Sequence, residues 1–169
     1  MSKFFKDELK KVKAFAFDVD GVFTDGKVFL HPSGEMLRTS HMRDGYAVQL
    51  AIKMGFPVAI ISGGKSESLR ARFQGLGITD IYLGSQDKMN DLLDFHSKHS
   101  LAPEDILYMG DDLPDYEVLQ KVGMSCCPSD AVAQIKGIVK YVSPFKGGEG
   151  CVRDVIEQVL RLQNHWPHV

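Results

Sequence analysis

Asp18 and Asp20 close an apolar run, Val12-Lys13-Ala14-Phe15-Ala16-Phe17, in a chain of 169 residues. The run reads as a buried strand, and aspartate favours neither strands nor apolar surroundings. Two carboxylates at the i, i+2 spacing of a strand point the same way. Held together in a crevice they would repel one another. A divalent cation is the simplest offset to that repulsion. The pair therefore predicts a metal site with a carboxylate left over for chemistry.

The elements that must hold this pair alternate along the chain. Apolar runs at 13–17, 56–61, 81–83, 106–109, 124–126 and 139–142 read as strands. Between and after them, helical patterns fall at 46–54, 67–76, 88–99, 116–122, 131–136 and 153–162. Segments 27–30 and 35–39 flank His31-Pro32-Ser33-Gly34, which reads as a hairpin turn within an insertion at 25–40. The tail 163–169 has no predicted element. Strand–helix alternation of this kind predicts an α/β fold with a mostly parallel sheet, in one domain over 1–169. In such sheets ligands bind beyond the carboxyl ends of the strands. Three polar clusters fall there: Asp18/Asp20, Ser62-Gly63-Gly64, and Gly110-Asp111-Asp112 with Asp115 close behind. Lys88 opens a helix.

Bulk properties narrow the function classes. Charged residues make up 25% of the chain and the net charge is −2, so no general attraction to nucleic acid or anionic membrane is expected. Cys126, Cys127 and Cys151 form neither a disulfide framework nor a CxxC zinc spacing. The charged N-terminal segment is unlike a signal peptide, and no run reaches the ~20 apolar residues of a membrane span. A cytoplasmic protein is expected.

Taken singly, each cluster has a plain structural reading. An aspartate after a strand caps a helix or forms a turn, and a lysine at a helix start is solvated. All four together, in order and each at the end of an element, point to a shared site. In this order Asp18-x-Asp20, Ser62, Lys88 and Gly110-Asp111-Asp112-x-x-Asp115 resemble the haloacid dehalogenase (HAD) superfamily of phosphotransferases, over nearly the whole chain. The resemblance implies a three-layer Rossmann-like fold. It makes Asp18 the nucleophile and a metal ligand. Asp20 becomes the general acid/base and binds metal through its backbone carbonyl. Ser62 and the Gly63 N–H would hold phosphoryl oxygens, and Lys88 would bridge nucleophile and phosphoryl group. Asp111 would bind the metal directly, with Asp112 direct or through water, and Asp115 would orient its neighbours. The chemistry suits these types. A cation and an ammonium group relieve the repulsion between a carboxylate nucleophile and a phosphomonoester. An aspartyl-phosphate divides the hydrolysis into two steps, and a second carboxyl moves the proton. Oxygen ligands and a phosphate substrate imply Mg²⁺.

Neither gap between motifs has room for the cap domain that many superfamily members carry. Capless members with a hairpin after Asp20-Gly21-Val22-Phe23-Thr24-Asp25-Gly26 include the 3-deoxy-D-manno-octulosonate 8-phosphate (KDO 8-phosphate) phosphatases, which are homotetramers. The loop Gly147-Gly148-Glu149-Gly150 before Val152-Arg153-Asp154 is similar to theirs. This implies hydrolysis of KDO 8-phosphate in lipopolysaccharide biosynthesis, in a site closed by a neighbouring subunit. Phosphatases of the nine-carbon KDN and N-acylneuraminate 9-phosphates are the alternative. An acidic residue follows Ser-Gly in the KDN enzymes, and Gly64 stands there here. The usual proteobacterial KDO 8-phosphate enzyme has arginine at that position, a charge that Lys65 would have to replace. Arg70, Arg72, Lys146 and Arg153 are candidates to bind the sugar carboxylate, and His41 and Arg43 to face the site. A phosphoprotein phosphatase and a non-catalytic module binding a phosphorylated ligand remain as further readings.

Overall fold

The computed structural model describes residues 3–167. Its strands are β1 (Ala14–Phe17), β2 (Phe29–Leu30), β3 (Met36–Leu37), β4 (Val58–Ser62), β5 (Asp80–Leu83), β6 (Ile106–Met109), β7 (Met124–Cys127) and β8 (Tyr141–Val142). The helices are α1 (Lys3–Lys11), α2 (Met42–Lys53), α3 (Glu67–Gly75), α4 (Lys88–Lys98), α5 (Tyr116–Lys121), α6 (Ala133–Lys136) and α7 (Cys151–Leu162).

Strand periodicity divides the core in two. Phe15, Phe17, Val58, Ile60, Leu107 and Met109 face α1, α2, α3 and α7. Ala14, Ala16, Ala59, Ile61, Ile106 and Tyr108 face α4, α5 and α6. Strands buried on both faces read as continuous apolar runs, as these do. Six strands join in the order β5-β4-β1-β6-β7-β8, with every pairing parallel. The chain winds outward from β1 to β5, then crosses back to β6 on the other side of β1. The strand order therefore reverses at β1, which opens a crevice beyond its carboxyl end. The fold is the three-layer α/β arrangement expected, with no cap over the crevice among the described residues. No helix of the described residues is long and apolar enough to cross a membrane.

β2 and β3 pair antiparallel, Phe29 with Leu37 and Leu30 with Met36, as a separate hairpin. Other elements depart from the sequence expectation. Helix α2 starts at Met42, four residues before the predicted start at 46, because His41 caps it by accepting from the Arg43 N–H. Asp44 in its first turn reaches across to accept the Arg153 N–H of α7 at 2.7 Å. The tail is not without structure up to residue 167: Trp166 is buried against α7, under the guanidinium groups of Arg153 and Arg161. Helix α1 has no counterpart in the sequence reading. It is short, and its burial of Leu9 is a tertiary effect.

Gly147 fastens the loop after β8 against the turn that follows Asp20. A Cβ on Gly147 would fall on the carbonyl oxygen of Gly21, and Gly148 donates its N–H to Val22 at 2.9 Å. Gly147→Ala must push these backbones apart, at about 1–3 kcal/mol. A lower melting temperature by calorimetry is expected, with a fall in activity larger than for an alanine placed at Gly75, which has open space and no positive φ.

Candidate active site

β1 delivers Asp18 to the crevice. Its N–H donates to the Met109 carbonyl at 3.0 Å, which ties it to β6. Continuing the alternation of Ala14 and Ala16, its side chain turns toward the α4 face. One carboxylate oxygen accepts the Val19 N–H at 2.7 Å, and the other lies 3.0 Å from Lys88 Nζ. Lys88 is fixed at the first turn of α4, where Asp87 caps the Met89 and Asn90 N–H groups. Its ammonium also donates to Asp115 at 2.8 Å.

Asp115 is fully buried and serves as the hub. One oxygen accepts from Lys88 and from the Tyr108 hydroxyl at 2.5 Å; the other accepts the Asp111 N–H at 3.1 Å. Carboxylate oxygens of Asp18, Asp111 and Asp115 lie within 4.8 Å of one another. Burial, then the charge of Asp115, pushes the Asp18 carboxyl up to about 7, against the pull of Lys88. Burial, then Asp18 and Asp115, pushes Asp111 up to about 7 as well. Burial opposes the charge on Lys88, but the two carboxylates outweigh it and its pKa is raised. Protonated at neutral pH or relieved by a cation, these are the two ways such a cluster is tolerated. Asp115 is saturated by its donors, so Asp18 and Asp111 are the oxygens left for a hard cation.

Ser62 ends β4 with its side chain buried, and its Oγ accepts the Gly64 N–H at 3.2 Å. A cleft of about 640 Å³ joins these parts. Its lining includes Asp18, Asp20, Ser62, Gly63, Gly64, Lys88, Asp111 and Asp112. Asp112 sits at the exposed rim, with its carboxylate turned back to cap the Leu113 N–H at 2.7 Å, so it is Asp115 that joins the acidic cluster. Gly21 follows Asp20 with φ +84, and a Cβ there would collide with the Asp111 carboxylate.

The candidate carboxylate-binding arginines lie elsewhere. Arg70 and Arg72 lie on α3, and neither lines the cleft. Arg72 reaches the sulfur of Met42 at 3.8 Å. Arg153 pairs with Glu157 at 3.0 Å in a separate groove of about 520 Å³, which His41 and Arg43 also line. Within one chain, then, the three arginines are not part of this site, because a helix face sets their direction and a sequence does not show it. Lys65 does not supply the cation at Gly64 either, since its stem lies over Gly84. That cation is Arg38, from the strand end of the hairpin, with Nε 2.6 Å and Nη2 3.1 Å from the two Asp20 oxygens. The sequence reading missed it; one cation after the apolar pair Met36-Leu37 was its only signal.

A family model for haloacid dehalogenase-like hydrolases matches residues 65–155. The chain is 37% identical to the KDO 8-phosphate phosphatase KdsC of Escherichia coli K12, over 91% of this chain and 82% of that protein. The crystal structure of the KDO 8-phosphate phosphatase from Yersinia pestis superposes with a TM-score of 0.95 at 33% identity, over 98% of this chain and 89% of that one. A Moraxella catarrhalis KDO 8-phosphate phosphatase, solved with magnesium, phosphate and KDO, gives 0.93 at 30% identity, over 97% and 94%. With Asp18, Ser62, Lys88 and Asp111 brought to one cleft at the sheet's switch point, this chain belongs to the haloacid dehalogenase-like hydrolases, in the branch of the KDO 8-phosphate phosphatases.

Proposed function

We propose that the chain is a Mg²⁺-dependent phosphatase that hydrolyses KDO 8-phosphate to KDO and phosphate. In this reading its product serves lipopolysaccharide biosynthesis. The observation that carries it is Lys88 held between Asp18 and Asp115 on the floor of an open cleft whose rim is the Ser62-Gly63-Gly64 turn. Asp18 is the nucleophile and forms an aspartyl-phosphate. Lys88 lowers the repulsion between that carboxylate and the doubly anionic ester, while Asp115 and Tyr108 hold Lys88 in place. Ser62 and the Gly63 N–H take phosphoryl oxygens. Asp20 protonates the leaving C8 oxygen, then draws the proton from the water that opens the intermediate. Asp18, Asp111 and the Asp20 carbonyl would hold the Mg²⁺, with Asp112 reaching it through water. Bound there, the ion supplies Lewis-acid stabilisation of charge on the transferring phosphoryl group.

Asp18→Asn removes the nucleophile and is expected to abolish turnover, leaving an intact fold by circular dichroism. In side-by-side kcat/KM measurements, KDO 8-phosphate should exceed KDN 9-phosphate and N-acylneuraminate 9-phosphate. A preference for a nine-carbon ester would overturn the substrate assignment.

The raised carboxyls set a pH dependence. Asp18 and Asp111, each near 7 without metal, must lose protons to bind a cation. Apparent Mg²⁺ affinity should therefore rise with pH and level off above about 7, by about tenfold per pH unit for each proton released. For folding the sign is opposite. A carboxyl raised from its ordinary value of 3.8 contributes fully below that value; the contribution is lost as pH rises from there to about 7 and is flat above it. Calorimetry should show metal-free protein losing stability over that window and Mg²⁺ restoring it.

The active form is a homotetramer in this reading. Its support is the hairpin, which exposes Val28, Phe29, Leu30, Met36 and Leu37 side by side. An open cleft also needs a lid to exclude water. Light scattering should give four times the 18.8 kDa chain mass, and Phe29→Glu with Leu30→Glu should yield smaller species with lower kcat/KM.

A further inference from the structure

Within 25–40, every residue is exposed except Arg38. Its side chain is only 6% exposed, because it turns inward from the hairpin to the cleft. All three guanidinium nitrogens are engaged: Nε and Nη2 grip both oxygens of Asp20, and Nη1 donates to the Met36 carbonyl at 2.8 Å. A two-pronged clamp of this kind is among the strongest single contacts a carboxylate makes. It also opposes the role proposed for Asp20. A carboxyl that hands a proton to a leaving alcohol needs an oxygen turned to that alcohol, and here both oxygens face N–H donors.

The surroundings show where the arginine can go. Gly64 stands where three of these groups meet: a Cβ there would press on Arg38 Nη2 and Asp20 Oδ2, each at 3.3 Å, and would touch Ser62 Oγ at 3.5 Å. One small volume is thus bordered by the cation, the proposed acid/base and the proposed phosphoryl-binding hydroxyl. A phosphoryl group held at the Ser62 turn brings two negative charges and three acceptor oxygens next to the guanidinium. Asp20 offers one charge and two oxygens. The same planar fork fits both partners. The hairpin strands pack mainly on each other, and a two-stranded hairpin of this kind moves at little cost.

We propose that Arg38 is a hairpin-borne latch: it clamps Asp20 in the empty site and passes to the phosphoryl group of the bound substrate, which frees Asp20 for proton transfer. Substrate binding and release of the acid/base are then one event, and the hairpin is drawn over the cleft as the arginine changes partner. This inference rests on the phosphatase reading and goes beyond it in assigning Arg38 a role in binding.

The test uses the full chain with Mg²⁺ and inorganic phosphate as the probe. The Arg38 Nε–H resonance, assigned by its loss in Arg38→Lys, should shift on saturation with phosphate. Arg38→Gln should raise KM for the sugar phosphate about tenfold or more, the scale of a lost charge-assisted contact, with kcat changed less. Arg38→Lys should recover part of the loss. A resonance that stays fixed while calorimetry shows phosphate bound would overturn the latch. So would an Arg38→Gln variant with lower melting temperature and kcat but unchanged KM, the pattern of a structural staple. Absence of both Mg²⁺-dependent phosphate binding and phosphomonoester turnover in the parent would instead overturn the phosphatase reading, and the latch with it.

Discussion

Carboxylate repulsion at the end of β1 is the constraint around which the rest of the site is arranged. Asp18, Asp111 and Asp115 share a space in which their oxygens come within 4.8 Å, and burial penalises the charges on Asp18 and Asp111. Left alone, such a cluster would hold its protons and be a poor nucleophile. Three offsets act on it. Asp115 is saturated by Lys88, Tyr108 and a backbone N–H, so its charge is spent within the protein. Lys88 extends the same ammonium to Asp18. The remaining excess, on Asp18 and Asp111, is what a divalent cation removes. Stability alone would favour replacing such a cluster with apolar residues. Its burden is a functional one, in keeping with the rule that strongly shifted pKa values gather where chemistry is done.

The fold supplies the means by simple periodicity. Alternation along β1 and β6 sends Asp18 and Tyr108 to the α4 side, where Lys88 opens a helix. Parallel pairing of β1 with β4 and β6 brings three strand ends together, and with them Asp18, Ser62 and Gly110-Asp111. No long-range adjustment is needed to assemble these groups, because each follows its strand directly.

That directness is why this part was legible in the sequence. Asp18, Ser62, Lys88 and Asp111 are each read from an element boundary, and boundaries at strand ends are marked by abrupt changes from apolar to polar. What was illegible depended on tertiary direction. Arg70, Arg72 and Arg153 are plausible cations by charge, yet charge does not say which way a helix face turns, and none of the three lines the cleft. Arg38 was overlooked for the converse reason. It lies eighteen residues after Asp20 in sequence order, and only the way the hairpin folds back brings the two together. Trp166 likewise lies in a tail with no predicted element, and its burial depends on packing under Arg153 and Arg161 of α7.

The hairpin joins two requirements that a capless enzyme would otherwise meet separately. Its outer surface carries Phe29 and Leu30, which water solvates poorly, while its base carries the one side chain that turns inward. Covering the outer surface with another copy of the chain would restrict the hairpin's motion, and with it the range of positions open to Arg38. Entropy lost on assembly would then not be lost again when substrate binds, since the cation would already be confined near the phosphoryl position. An open cleft of about 640 Å³ would gain selectivity in this way without a second domain. Selectivity of that origin would depend on the hairpins together with the cleft residues left over from phosphoryl chemistry, Ser85 and Gln86, whose polar side chains also line the cleft.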